Sequence, residues 1–392
     1  MSKTIYPLAT STWDENEIDV MNKTIASGML TMGEKVFEYE KNFAEYFNSK
    51  YAIMVNSGSS ANLLAVASLF YRKNGLKLQS GDEVIVPSVS WSTTYMPLQQ
   101  YGLKVKFVDI DIETLNFDLK ALADAITDNT KMIFAVNLLG NSNNFSKIEE
   151  FIKGKNIILL EDNCESMGAK YNDKFTGTYG LMGTFSSYFS HHISTIEGGM
   201  ITTNDEELYH ILLSLRSHGW TRHLPQKNHI TGIKNNNSFE ESFKFVLPGY
   251  NVRPMELSGA IGIEQLKKLD KINKGRRENA KYFKSIFSND DRFIIQKEIG
   301  ESSWFGFSII IKPESGLNRI DLLSKLSEYG IESRPIVSGD FTENEVIKYF
   351  NYEICGDLNN TKILNKYGFF IGNHHYNLNK ELDLLKDVLA SI

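Results

Sequence analysis

Short apolar runs alternate with amphipathic stretches along the chain. The runs at 82–88 (DEVIVPS), 104–111 (KVKFVDID), 131–137 (KMIFAVN), 156–163 (NIILLEDN), 184–190 (TFSSYFS) and 198–205 (GGMITTND) read as strands. Several are continuous and rich in β-branched residues, as strands covered on both faces are. Between them, 60–74, 118–127, 146–155 and 205–219 carry helical periodicity, with Asp118, Ser146 and Asp205 as predicted N-caps. This alternation implies an α/β domain with a largely parallel sheet. The segment 217–245 is polar and irregular and reads as a long surface loop. A helical pattern runs from about 255 to 287. Beyond it, WFGFSIII (304–311) and helical patterns at 319–330 and 379–392 imply a smaller α+β unit. The predicted organisation is therefore a large α/β domain over 1–250, a connecting long helix over 251–287 and a small C-terminal α+β domain over 288–392.

Composition narrows the function. The 392 residues are 42% hydrophobic, enough for a substantial core, and carry a formal net charge of −6 without a basic block. Nucleic acid and anionic membrane are poor partners for such a chain. No apolar run reaches the length of a membrane span, and the N-terminus has no apolar secretory segment, so a cytoplasmic location is expected. The two cysteines, Cys164 and Cys355, suit a reducing compartment and are too few for a four-cysteine iron–sulfur cluster or zinc site.

Three stretches carry candidate chemistry. NSGSSANLL (56–64) puts Ser59 and Ser60 at a helix entrance, where free N–H groups and small side chains suit either a bound phosphate or an ordinary cap. Trp91, in PSVSWSTT (87–94), is either a packed ring or a platform for a flat ligand. Asp162 and Glu165, in IILLEDNCESMGA (157–169), follow an apolar strand. They sit where open α/β sheets bind ligands, or else they complete a helix cap together.

Taken in order, these motifs together with FSSYFS…TIEGG and GYNVRPMELSGAIGIEQL (249–266) resemble the sugar-aminotransferase family that uses pyridoxal 5′-phosphate (DegT/DnrJ/EryC1/StrS type). The likeness covers nearly the whole chain. It implies the aspartate-aminotransferase-type fold (fold type I) and a homodimer with shared active sites. By the same resemblance, Ser59, Ser60 and Ser186 hold the cofactor phosphate, Trp91 stacks on the ring and Asp162 pairs with the pyridinium nitrogen. Asn251 reaches the neighbouring subunit's cofactor phosphate. His218, Arg222 and Arg334 contact the nucleotide sugar.

One position departs from the pattern. The family's aminotransferases keep a lysine six residues before the Glu of the EGG motif. Here that residue is His191, and no lysine lies between Lys174 and Lys227. An imidazole cannot form a Schiff base but can move a proton near neutral pH. The resemblance then points to the branch of 3-dehydratases that make 3,6-dideoxy sugars, with His191 as catalytic base and noncovalent pyridoxal or pyridoxamine 5′-phosphate. The acidic Glu165 also resembles that branch and is assigned to the cofactor. Without cysteines for a cluster, the iron–sulfur type is set aside in favour of the type that restores its cofactor with L-glutamate. The expected reaction removes the C3 hydroxyl of a nucleotide-linked 4-keto-6-deoxy sugar, GDP-4-keto-6-deoxy-D-mannose foremost. A 4-keto-6-deoxyheptose substrate, a true aminotransferase and a non-catalytic cofactor-binding regulator are the alternatives. His192, the neighbour of the base, is expected to be structural and turned away.

Overall fold

The computed structural model describes residues 4–287 and 289–392; the first three residues and Ser288, which open two of the expected domains, lie outside them. Seven strands of the main sheet come from residues 51–203: β1 (Tyr51–Val55), β2 (Glu83–Pro87), β3 (Lys104–Val108), β4 (Thr130–Val136), β5 (Ile158–Asp162), β6 (Met182–Ser186) and β7 (Gly199–Thr203). With β11 (Tyr352–Cys355) they form one sheet in the order β1-β7-β6-β5-β4-β2-β3-β11. Only β7 runs against its neighbours; β6, β5, β4, β2, β3 and β11 pair in parallel. Because β1 and β6 are both antiparallel to β7, β1 runs with the parallel set. The C-terminal ends of every strand but β7 therefore meet at one edge, where ligands bind in open α/β sheets.

The helices α1 (Glu15–Ser27), α2 (Glu34–Tyr46), α3 (Gly58–Ser68), α4 (Ser92–Gln100), α5 (Leu119–Ala125), α6 (Phe145–Ile152) and α7 (Glu206–Arg216) start, α4 excepted, where side chains satisfy their free N–H groups. Asp118 accepts from the amides of Lys120 and Ala121, and Asp205 from that of Leu208, as their spacing predicts. The predicted cap Ser146 is not the cap of α6. Asn144 takes that place, accepting from Lys147 N at 3.2 Å. The earlier start seats Phe145 in the core, stacked on Tyr179 at 4.2 Å between centroids. The α3 entrance is capped by Ser57, whose Oγ accepts from Ser60 N at 3.1 Å.

The long pattern at 255–287 resolves into two helices, α8 (Glu256–Leu266) and α9 (Leu269–Phe287). The break falls at Lys267 and Lys268, the latter held by Glu17 at 2.6 Å and Asp14 at 2.8 Å. α8 is buried against α2: a side chain on Gly259 would meet Val36 N at 2.7 Å, which only glycine permits. A second, antiparallel sheet orders β8 (Phe293–Ile295), β9 (Gly306–Ile311), β12 (Gly368–Gly372) and β10 (Ser333–Arg334) as β8-β9-β12-β10. It is backed by α9, α10 (Arg319–Glu328) and α12 (Asn379–Ala390), with α11 (Asn359–Tyr367) leading into β12.

Two segments cross the division drawn from sequence. β11, from the C-terminal part, extends the large sheet beside β3. Tyr6, from the N-terminal segment, is buried in the small-sheet core and donates its hydroxyl to Gly372 O at 2.6 Å. The stretch 217–245 is mostly irregular, with a two-residue hairpin and a single helical turn.

Candidate active site

A cavity of about 530 Å³ opens at the C-terminal edge of the large sheet. Ser59, Trp91, Asp162, Glu165, Ser186, His191 and Arg334 all line it, although they come from five separate stretches of chain.

Asp162 ends β5 and is only 5% exposed. Its Oδ2 accepts from Asn62 Nδ2 at 2.8 Å and Thr94 Oγ1 at 2.7 Å, and its Oδ1 from Cys164 N at 3.2 Å. Thr184 donates to Asn62 Oδ1 at 2.6 Å, which turns the amide N–H group of Asn62 toward the carboxylate. Side chains alternate along a strand, so neighbouring Glu161 faces the other way. It accepts from Gly177 N at 2.6 Å and Gly180 N at 2.7 Å and ties the loop before β6. No helix follows Asp162, so the capping alternative for Asp162 and Glu165 is not realised. Glu165 instead accepts from Leu139 N at 3.0 Å. Burial, against that one N–H donor and with Asp162 nearby, pushes its carboxyl up to about 7.

The α3 entrance lies directly against β6. A side chain on Gly58 would meet Ser186 Cβ at 2.7 Å, so the helix N-terminus comes this close only because the residue is glycine. Ser59 donates to Thr93 at 2.9 Å and lines the cavity. Ser60 is not among the lining residues, and its hydroxyl donates to Asn56 Oδ1 at 2.6 Å. Trp91 is 58% exposed, with its ring on the cavity wall rather than in the core.

His191 closes a turn, its amide donating to Tyr188 O at 2.9 Å. Its ring lies 5.1 Å from that of Phe305, and its Nδ1 is buried without a partner. Burial, reinforced by the charge of Arg276, lowers the imidazole to about 3, so it is neutral across physiological pH. His192 is buried and its Nε2 donates to Ser303 O at 3.1 Å, turned into the protein as expected.

Asn251, His218 and Arg222 are not brought to this cavity. They form a second cluster around Trp220. The His218 ring lies 4.7 Å from Trp220, Arg222 sits 4.4 Å over it, and Asn251 accepts from Arg253 at 3.0 Å. Phe239, Phe243 and Phe245 are exposed beside the same loop. Several site residues carry no sequence signal of their own. Asn62 and Thr94 look like ordinary helix residues. Asn137 alone is detectable, as the polar residue just past an apolar strand.

These residues fit a phosphorylated pyridine. An anchored carboxylate suits a protonated ring nitrogen, and an exposed indole face suits the ring. A helix N-terminus held open by Gly58 suits the phosphate. Among the described residues no group of His, Cys, Asp or Glu could hold a metal ion, and no helix is long and apolar enough to cross a membrane.

Residues 11–381 match the model of the DegT/DnrJ/EryC1/StrS aminotransferase family. The chain is 60% identical over 385 residues to the GDP-4-keto-6-deoxy-D-mannose 3-dehydratase of Escherichia coli O55:H7, covering 98% of this chain and 99% of that one. It superposes on the E. coli GDP-4-keto-6-deoxy-D-mannose-3-dehydratase with bound hydrated PLP with a TM-score of 0.98 at 59% identity, over 99% of this chain and 100% of that one. A structure of GDP-4-keto-6-deoxymannose-3-dehydratase with a trapped PLP-glutamate geminal diamine gives 0.97 at 59% identity, over 98% and 100% of the two chains.

Proposed function

The chain belongs to the DegT/DnrJ/EryC1/StrS aminotransferase family, and from that premise we propose that it is a pyridoxal-phosphate-dependent 3-dehydratase acting on GDP-4-keto-6-deoxy-D-mannose. The net reaction converts the sugar nucleotide and L-glutamate into the 4-keto-3,6-dideoxy sugar nucleotide, 2-oxoglutarate and ammonia. The observation that carries this reading is the cavity itself: His191 lines it, and no lysine is among its lining residues.

When bound, the cofactor supplies an electron sink and a carrier for the amino group. Asp162, fixed by Asn62 and Thr94, would accept a hydrogen bond from the protonated ring nitrogen. Ser59, Ser186 and the α3 N-terminus would hold the phosphate, and Trp91 would offer its face to the ring. With no amine to attach it, the cofactor is held by these contacts alone. His191 is neutral, so it accepts a proton. The same burial makes its protonated form a strong acid, suited to returning that proton to the departing C3 hydroxyl oxygen. Glu165, ionising near neutrality, stands beside Asp162 to take or give a second proton. Arg334, an exposed cation on the wall, meets the diphosphate or sugar. Asn251, His218 and Arg222 lie away from this chain's own cavity, which supports a homodimer in which they serve the cavity of a partner subunit; a cytoplasmic location belongs to the same reading.

Incubation with pyridoxal phosphate, L-glutamate and GDP-4-keto-6-deoxymannose should yield 2-oxoglutarate, ammonia and a 3-deoxy sugar nucleotide, separable by chromatography and mass. A 4-amino sugar nucleotide in their place would sink the dehydratase reading. Borohydride treatment should leave the cofactor unattached to any lysine.

A further inference from the structure

A second, smaller cavity of about 50 Å³ lies behind the active site and shares Leu8, Ser190, Phe305 and Phe370 with it. Part of its wall is Arg276, from the middle of α9 and only 4% exposed. The guanidinium donates through Nη1 to Phe305 O at 2.9 Å and Asn373 O at 2.7 Å, while its Nε is buried without a partner. No carboxylate pairs with it among the described residues. The contrast with Arg216 is direct: that fully buried arginine is paired with Glu40. A cation withdrawn from water without an anion is costly, and carbonyl dipoles offset only part of that cost.

The other polar groups of this wall are already committed. His374 Nε2 lies 2.8 Å from Pro7 O, which can only accept, so Nε2 carries the proton and Nδ1 accepts from Thr10 Oγ1 at 3.0 Å. Asn373 Nδ2 donates to Arg276 O at 3.1 Å and Trp304 O at 2.9 Å, and its Oδ1 accepts from Asn279 at 3.2 Å and His374 N at 2.9 Å. What remains for a ligand is the guanidinium, with the Ser190 hydroxyl at the shared wall. Leu8, Ala9, Phe305 and Phe370 surround them with apolar surface, which strengthens a charge pair.

A planar anion with two oxygens matches a guanidinium fork, and the volume admits a carboxylate group but not a sugar. The shared walls put this space next to His191, whose ring packs on Phe305. We propose that the Arg276 cavity seats a carboxylate of the amino donor, L-glutamate, while the donor's amine stands in the main cavity beside His191. This rests on the reading of the chain as a glutamate-dependent dehydratase. It adds that donor and sugar are recognised by different cations, Arg276 and Arg334.

The test uses the full chain loaded with pyridoxal phosphate and glutarate, a dicarboxylate without an amine, titrated by calorimetry. Arg276→Lys should weaken glutarate binding by roughly tenfold or more, because a point charge replaces the fork. Ala9→Leu, which fills the cavity and leaves the guanidinium in place, should weaken it similarly and stands in if Arg276→Lys does not fold. Arg334→Lys should leave it within about twofold. Steady-state kinetics should show a raised KM for glutamate in the first two variants, with the KM for the sugar nucleotide little changed. Glutarate that fails to bind the unaltered chain overturns the assignment. So does loss of binding in Arg334→Lys with retention in the other two. If binding fails while the 3-deoxy product still forms, the donor pocket falls and the dehydratase reading stands.

Discussion

Glu165 is a carboxylate whose folded pKa, about 7, lies above its ordinary value of 4.5 because burial disfavours the charge. The folded chain therefore binds this proton more tightly than the unfolded chain does. By linkage, the native state loses stability as pH rises from about 4.5 to about 7, and carries the full penalty above that. Glu165→Gln keeps an acceptor for Leu139 N and removes the charge. Cofactor-free Glu165→Gln should thus match the parent near pH 4.5 and exceed it by on the order of 1–3 kcal/mol at pH 8, read as a higher Tm. Equal melting curves at both pH values would show that Glu165 is not buried in a way that matters. His191 differs in sign: its lowered pKa means the neutral form persists through the whole range in which the enzyme works.

At the scale of elements, the segment after β4 is the least expected and the most constrained. Leu139 and Gly140 both have positive φ, 50° and 92°. Gly140 O accepts from Ser303 N at 2.9 Å and Leu139 O from Phe305 N at 3.2 Å, joining the large domain to the segment that leads into β9. A side chain on Gly140 would meet Trp304 N at 2.4 Å. Gly140→Ala should cost about 2–4 kcal/mol in chemical denaturation and displace the amide that Glu165 accepts from; a stability within experimental error of the parent would contradict the contact. The strands of the large sheet are readable in the sequence because both faces are buried, which leaves unbroken apolar runs. β1 and β11 escape this reading. YAIMV is no shorter than its neighbours in the sheet and has Asn-Ser pairs on both sides, so it is open to the same reading, whereas YEIC at the sheet edge is largely exposed and its burial pattern is weak. The break between α8 and α9 is likewise invisible to periodicity, since lysines fit either side of a helix end.

Across the whole molecule, the assigned site residues other than Ser60 separate into two groups, one in the cavity and one around Trp220, and a second subunit is what would unite them. Mixing His191→Asn with Asn251→Ala subunits tests this. If each cavity draws Asn251 from its neighbour, exchange should create intact sites and recover up to about a quarter of parental activity from two nearly inactive proteins. No recovery after confirmed exchange would mean that each chain works alone.

The sequence by itself determined the α/β class, the order of the cofactor motifs and the presence of His191 at the position where the family resemblance implies a lysine in the aminotransferases. These are local properties, carried by side-chain periodicity and by residues a few positions apart. The tertiary structure alone decided that Glu161 turns away to tie the loop before β6. It also decided that Asn62 and Thr94 orient Asp162, and that Arg276 lies behind His191. Those outcomes depend on strand pleat and on contacts between residues distant in the chain, and a pattern read along one dimension holds no record of them.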